Sequence, residues 1–311
     1  MTKRILAVGW RAVALVVLYL VLFVAGTTLF PVNAGAPPDP AAATATLLGL
    51  LACAVIDTVL LGLWAARTRL RGWRRWAALA VAFYGVKTFS SQLESLWFMP
   101  NVTASMGPAL FAMTMPLCLV FPAAVVAAFG ARGPAEAPAW RAPALPWGRR
   151  LLDWTVLSAV VYPALFWGAG YFIAFRSPAV REFYGGLRGE GFLGHLAGVV
   201  AADPWVVPFE CLRGLLWILL LLPLFRTSRG RWWTDALLAG ATLALVQNDL
   251  HLLPNPLMSP EIRLFHFVET SSSNFVWGLL MVGLLRGWRE RGRLAAGAGG
   301  GLPRPLRAQH S

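Results

Sequence analysis

Residues 205–225, WVVPFECLRGLLWILLLLPLF, form an apolar stretch in which only Glu210 and Arg213 carry charge. A helix needs about 20 such residues to cross the roughly 30 Å hydrocarbon core of a bilayer. Of the 311 residues, 58 % are hydrophobic and 13 % are charged, against about 25 % charged in an average soluble domain. With only three cysteines, this composition excludes disordered, collagen-like and disulfide-scaffold classes. It predicts an all-α, polytopic transmembrane helical bundle.

Similar apolar stretches recur along the chain and predict about eight spans in a single integral membrane domain, residues 1–294. The first stretch is longer than a signal-peptide core of about 7–15 residues, which favours an uncleaved first span. Residues 295–311, rich in Gly, Ala and Pro, are predicted to form a disordered cytoplasmic tail. The predicted spans are 12–31, 43–65, 76–98, 107–130, 152–175, 205–225, 233–254 and 262–285.

Two connecting segments differ from ordinary short loops. Residues 131–150 are rich in Pro and Ala with four Arg, and are predicted to form a flexible cytoplasmic strap. Residues 192–202 are apolar but too short to cross the membrane. They predict an interfacial or re-entrant helix in the longest outer loop.

The basic residues set the predicted orientation. Most of the 27 Lys and Arg residues lie in every second connecting segment, which by the positive-inside rule places both termini in the cytoplasm of a multi-pass cell-membrane protein. The same distribution accounts for the formal net charge of +13. We therefore expect the lipid bilayer, and no nucleic acid, as the partner of this charge.

Two ionisable residues fall well inside predicted spans, Asp57 in the second and Lys87 in the third. A charge at the centre of a transmembrane helix costs about 2.5–3.5 kcal/mol on insertion scales. Because consecutive spans are usually neighbours, Asp57 and Lys87 are predicted to form a structural ion pair. A proton or ion pathway is the alternative.

A second group of polar residues falls near the outer ends of spans 3, 6, 7 and 8, where we expect the side chains to converge. Acids outnumber the cations there, which calls for shared protons or a bound cation. Two histidines with several carboxylates would suit Zn²⁺ or another divalent metal. The candidate catalytic residues are Glu94, Glu210, Arg213, Asn248, Glu269 and Asn274, the candidate metal ligands are His251 and His266, and Asp249 lies at the same level.

Residues 209–216, FECLRGLL, slightly resemble the first motif, EExxxRG, of the CPBP intramembrane proteases. These are multi-spanning proteins with Glu, His and Asn on successive helices at the site. The resemblance implies hydrolytic chemistry with Glu210 and Arg213 at its centre. The chain departs from the pattern because one Glu replaces two, and it stands three residues before Arg213 rather than four. Gln247 and Ile262 occupy the Phe position of the FxxxH motif.

Three functions remain open from the sequence. The first is a membrane-embedded hydrolase in which Glu210 or Glu269 is the general base toward water, with His251 and His266 as metal ligands or proton carriers. The second is a proton- or cation-coupled carrier that uses the charges of spans 2 and 3 as a relay. The third is a scaffold or assembly factor whose polar groups only hold helices together.

Reporter fusions test the predicted orientation. Because alkaline phosphatase is active only outside the cytoplasm and green fluorescent protein folds inside it, the two reporters should give opposite results at every site. Cytoplasmic signals are expected at Arg71, Ala135 and Thr227. Outside signals are expected at Asp39, Ala104 and Gly189. A reversal at one of these six sites would contradict the eight-span topology.

Overall fold

The computed structural model describes residues 2–32, 42–130, 147–185, 191–255 and 257–287. Over these residues the chain is all-helical, without strands, so the predicted fold class is confirmed at this level. The predicted disordered tail, 295–311, and most of the predicted strap, 131–146, lie outside the described residues.

The helices follow one another along the chain with short connections. They are α1 Thr2–Leu29, α2 Ala43–Arg67, α3 Gly72–Tyr84, α4 Ser90–Phe98, α5 Gly107–Ala112, α6 Met115–Phe129, α7 Trp147–Val156, α8 Tyr162–Phe172, α9 Pro178–Phe183, α10 Gly191–Ala202, α11 Val206–Arg226, α12 Trp232–Ala241 and α13 Pro260–Val282. Single π-helical turns lie at Gly85–Phe89, Leu157–Val161, Thr242–Val246 and Gly283–Gly287. Short 3₁₀ turns lie at Ala104–Met106, Ala174–Arg176 and Asp249–Leu252.

Five helical segments of the described chain are long and apolar enough to cross a membrane. They are Leu6–Leu29, Ala43–Arg67, Ala104–Phe129, Leu151–Arg176 and Val206–Arg226. Each coincides with one of the eight predicted spans, so transmembrane helices are confirmed and the number eight is not. The apolar segment 192–202, predicted to be an interfacial or re-entrant helix, forms α10, a helix of 12 residues.

The three other predicted spans are helical but more polar or shorter. Residues 72–98 form one helix in which the π turn joins α3 to α4, and it carries Lys87 and Glu94. Helix α13 is 23 residues long, about 34 Å at 1.5 Å per residue, and carries the candidate residues His266, Glu269 and Asn274. It begins after Ser259, whose side chain accepts a hydrogen bond from the Ile262 amide and so caps the helix.

The span predicted at 233–254 ends early. Its helical residues run only from Trp232 to Val246, and a 3₁₀ turn follows. The Asn248 side chain donates a hydrogen bond to the Ala244 carbonyl at 2.8 Å, so it competes with the backbone amide that would continue the helix. The chain after Val246 therefore turns within the protein instead of extending as a helix toward 254.

Close packing, rather than the hydrophobic effect, must hold helices together in lipid. Glycines permit such packing where α12 crosses α13, because a Cβ added at Gly278 would lie 2.5 Å from the Gly240 Cα. In the core, the ring of Tyr162 lies between those of Trp217 and Trp277, with centroid distances of 5.2 and 5.4 Å. These contacts connect α8, α11 and α13, the helices that carry most of the candidate site.

Lys87 is the most deeply buried cation among the described residues. Its Nζ lies 2.6 Å from both carboxylate oxygens of Asp249 and 2.9 Å from Asp57 Oδ2. All three side chains are fully buried. The sequence predicted Asp57 as the partner of Lys87 and placed Asp249 with the outer acids. The structure places Asp57 in contact with Lys87, as in the predicted pair, and adds Asp249 as a second partner, because the turn after Val246 directs Asp249 into the core.

This arrangement predicts an asymmetric response to neutralisation. Asp57→Asn leaves one carboxylate for one ammonium, so its free energy of unfolding should change little. Lys87→Met leaves two buried carboxylates without a cation and should cost about 3–5 kcal/mol. Thermal unfolding of the purified variants in detergent measures both changes.

The double variant Asp57→Asn with Asp249→Asn is the matched control, since it leaves Lys87 without a counter-charge. It should be as destabilised as Lys87→Met, although each single acid variant is tolerated. Equal losses from Asp57→Asn and Lys87→Met would contradict the shared-cation arrangement.

Candidate functional site

Arg213 joins two carboxylates from different helices. Helix α11 places Glu210 and Arg213 three residues apart on one face, and Arg213 Nη1 donates to both Glu210 oxygens at 2.9 Å. Its Nη2 donates to Glu94 Oε2 on α4 at 2.7 Å. Glu210 is fully buried, whereas the Glu94 side chain is 21 % exposed. Glu94 is therefore the member of this group that is open to a ligand.

Aromatic rings surround the guanidinium of Arg213. Its Cζ lies 5.6–5.8 Å from the ring centroids of four side chains, which are Tyr162, Phe166, Phe209 and Trp217. A guanidinium is weakly hydrated and is attracted to ring faces, so this surrounding compensates part of its lost hydration. One cation nevertheless serves two carboxylates, and the group of Glu94, Glu210 and Arg213 keeps a formal charge of −1.

His266 is held between an acid and a hydroxyl group. On α13, His266 Nδ1 lies 3.1 Å from Glu269 Oε2, and His266 Nε2 lies 2.5 Å from the Tyr184 hydroxyl. An ionised Glu269 can only accept, so Nδ1 carries the proton and Nε2 accepts from Tyr184. Desolvation raises the pKa of Tyr184 well above its ordinary value, and Glu94 and Glu269 raise it further. The hydroxyl is therefore protonated and able to donate.

A cavity of about 570 Å³ opens beside the two groups. It is lined by Glu94, Tyr184, His266 and Glu269, together with aromatic side chains from α4, α8 and α9. A second cavity, of about 350 Å³, shares Glu94, Tyr184 and His266 with the first. The aromatic residues of the first cavity, besides Tyr184, are Trp97, Phe98, Phe166, Trp167, Phe175 and Phe183.

The two candidate amides hold α13 to the end of the preceding helix. Asn248 Oδ1 accepts a hydrogen bond from the Thr270 hydroxyl at 2.8 Å. Asn274 Nδ2 donates to Gln247 Oε1. Asn248 also lines the second cavity, whereas Asn274 is buried among the helices.

The two candidate metal ligands lie near each other, with ring centroids 6.0 Å apart for His251 and His266. His251 lines the second cavity, and His266 faces both. Within the described ranges, no group of three or more His, Cys, Asp or Glu is placed to hold a metal ion. The predicted outer cluster is thus two linked groups, one around Arg213 and one around His266, with Glu94 and His266 meeting at the cavity walls.

Tyr184 was not among the residues selected from the sequence. It follows α9 at the end of the stretch Arg181-Glu182-Phe183-Tyr184, in the predicted outer loop, and only tertiary folding brings it to His266. Asp203 was missed too, although it lines the larger cavity and accepts a hydrogen bond from Trp97 Nε1 at 3.0 Å. In the sequence, the indication for Tyr184 was an aromatic residue beside charged residues in the longest predicted outer loop.

Comparisons of the chain with protein-family models, with curated proteins and with solved structures found no match.

Proposed function

We propose that the protein is a membrane-embedded hydrolase that cleaves an ester or amide bond of an amphipathic substrate. The observation that carries this proposal is the hydrogen-bonded series Tyr184–His266–Glu269 on the wall of the larger cavity. A base oriented by a carboxylate and open to an apolar cavity is the arrangement expected for acid–base catalysis.

In the proposed reaction, His266 Nε2 takes a proton from water through the Tyr184 hydroxyl, and the resulting hydroxide attacks the carbonyl carbon. Glu269 stabilises the imidazolium that forms, as an orienting carboxylate does in catalytic triads. The same proton then returns to the leaving oxygen or nitrogen, which completes hydrolysis. Glu94, which reaches both cavities, is the second carboxylate available to orient the attacking water.

Glu210 and Arg213 have a positioning role in this proposal. Glu210 is fully buried and bound by Arg213 through both oxygens, and it lies outside the lining of both cavities. Arg213 in turn fixes Glu94 through a 2.7 Å contact. The general base toward water is therefore assigned to His266 rather than to Glu210.

The proposal includes eight membrane crossings with both termini in the cytoplasm, in a cell membrane. Its supports are the alternation of basic segments and the presence of helices at all eight predicted positions. The polar helices 72–98 and α13 would cross inside the bundle, where Lys87 and Glu269 find partners. In this topology the larger cavity lies on the outer side.

Activity measurements on conservative variants test the catalytic assignment. The full chain, purified in a non-ionic detergent, should hydrolyse esters or amides of medium-chain acyl groups. His266→Gln should lower kcat by about 10²–10⁴-fold, the usual contribution of a positioned acid–base group. Tyr184→Phe and Glu269→Gln should also lower kcat, because each removes one end of the hydrogen-bonded series.

Glu261→Gln is the matched control, since Glu261 is an exposed acid at the start of α13 and does not line the cavity. The glutamine oxygen can still accept the 2.6 Å hydrogen bond that Glu261 receives from the Ser177 hydroxyl. It should retain full activity and thermal stability. If the wild-type chain turns over neither esters nor amides, and the site variants change only the unfolding temperature, the polar groups serve a scaffold and the hydrolase proposal is wrong.

A further inference from the structure

We propose that the larger cavity selects an amphiphile with a cationic head group. This inference deepens the proposed function, on which it rests for the identity of the cavity as a substrate site. It is carried by the charge of the lining and by its aromatic walls.

The lining carries an excess of negative charge. Of the described residues that line the cavity, four are acids, two are histidines, and none is Lys or Arg. The acids are Glu94, Glu182, Asp203 and Glu269. Arg213 contacts Glu94 from behind the wall, but it is shared with Glu210. A single guanidinium therefore leaves this end of the cavity with a net negative formal charge even when His266 is protonated.

The remaining wall is largely aromatic. Rings of Trp97, Phe166 and Trp167 face the same space as the acids. Ring faces attract alkylammonium groups, and the attraction is greatest where water is excluded. The guanidinium of Arg213, 5.6 Å from the Phe166 centroid, illustrates that the wall already accommodates one cation on its inner side. Acids together with rings favour a cationic head and disfavour phosphate or carboxylate.

The size and the entrance fit an amphiphile. The volume of about 570 Å³ lies within the roughly 300–1,000 Å³ of small-molecule sites. Glu182 is exposed and lines the cavity, so it lies at the mouth. Helix α10 contributes Val199 and Ala202 to the lining, which offers an apolar surface to the acyl chain.

Binding of three ten-carbon amphiphiles tests this selectivity. Decyltrimethylammonium, 1-decanol and decanoate are titrated against the full chain in a non-ionic detergent, and native mass spectrometry counts the bound molecules. The cation should bind about tenfold more tightly than the alcohol, and decanoate should bind most weakly. Glu182→Gln should weaken binding of the cation about two- to fivefold and leave that of the alcohol unchanged.

Glu261→Gln is again the control and should change neither affinity. Because Glu182 is exposed, its variant should keep the unfolding temperature of the wild type, which separates binding from folding. Equal or tighter binding of the alcohol or of decanoate would overturn the inference. Hydrolysis without a preference for cationic esters would overturn the inference alone, whereas selective binding of the cation without any turnover would overturn the hydrolase proposal alone.

Discussion

The structure depends on one constraint, that a charge buried in a medium of low dielectric constant must have a counter-charge in contact. Lys87 and Arg213 meet this constraint in the same way, because each is shared by two carboxylates from different helices. Lys87 joins α2, the π turn after α3 and the 3₁₀ turn after Val246, whereas Arg213 joins α4 to α11. Two cations therefore fix the relative positions of most of the polar helices.

The helix of residues 72–98 links these two groups, since it carries both Lys87 and Glu94. Its π turn at Gly85–Phe89 contains Lys87 and precedes the α4 helix that presents Glu94 to the cavity. Such turns insert one extra residue, rotate the following face and are frequent at functional sites. The core group and the cavity group are thus held by a single rigid element, and the position of Glu94 depends on the burial of Lys87.

The sequence predicted what helical geometry or composition determines locally. Composition predicted an all-helical membrane protein, and a spacing of three residues within one helix accounts for the contacts of Glu210 with Arg213 and of His266 with Glu269. The contacts between Lys87 and Asp249, between Arg213 and Glu94, and between His266 and Tyr184 join segments distant in sequence. The periodicity of the sequence does not predict these three contacts, because each depends on where a helix ends or how a loop folds back. Asp249 illustrates this, since a helix continued past Val246 would have carried it elsewhere.

The excess of acids over cations indicates that the polar groups do more than hold helices together. A scaffold needs each buried charge neutralised, and for Lys87 a second carboxylate completes an enclosed cluster. At the cavity the excess is placed differently, because Glu94, Glu182 and Glu269 line open space beside aromatic rings. Carboxylates that only fastened helices would be expected between them, where Glu210 lies. Here the acids face a cavity beside a histidine and a protonated tyrosine. This arrangement favours a binding site in which the bound molecule supplies the positive counter-charge.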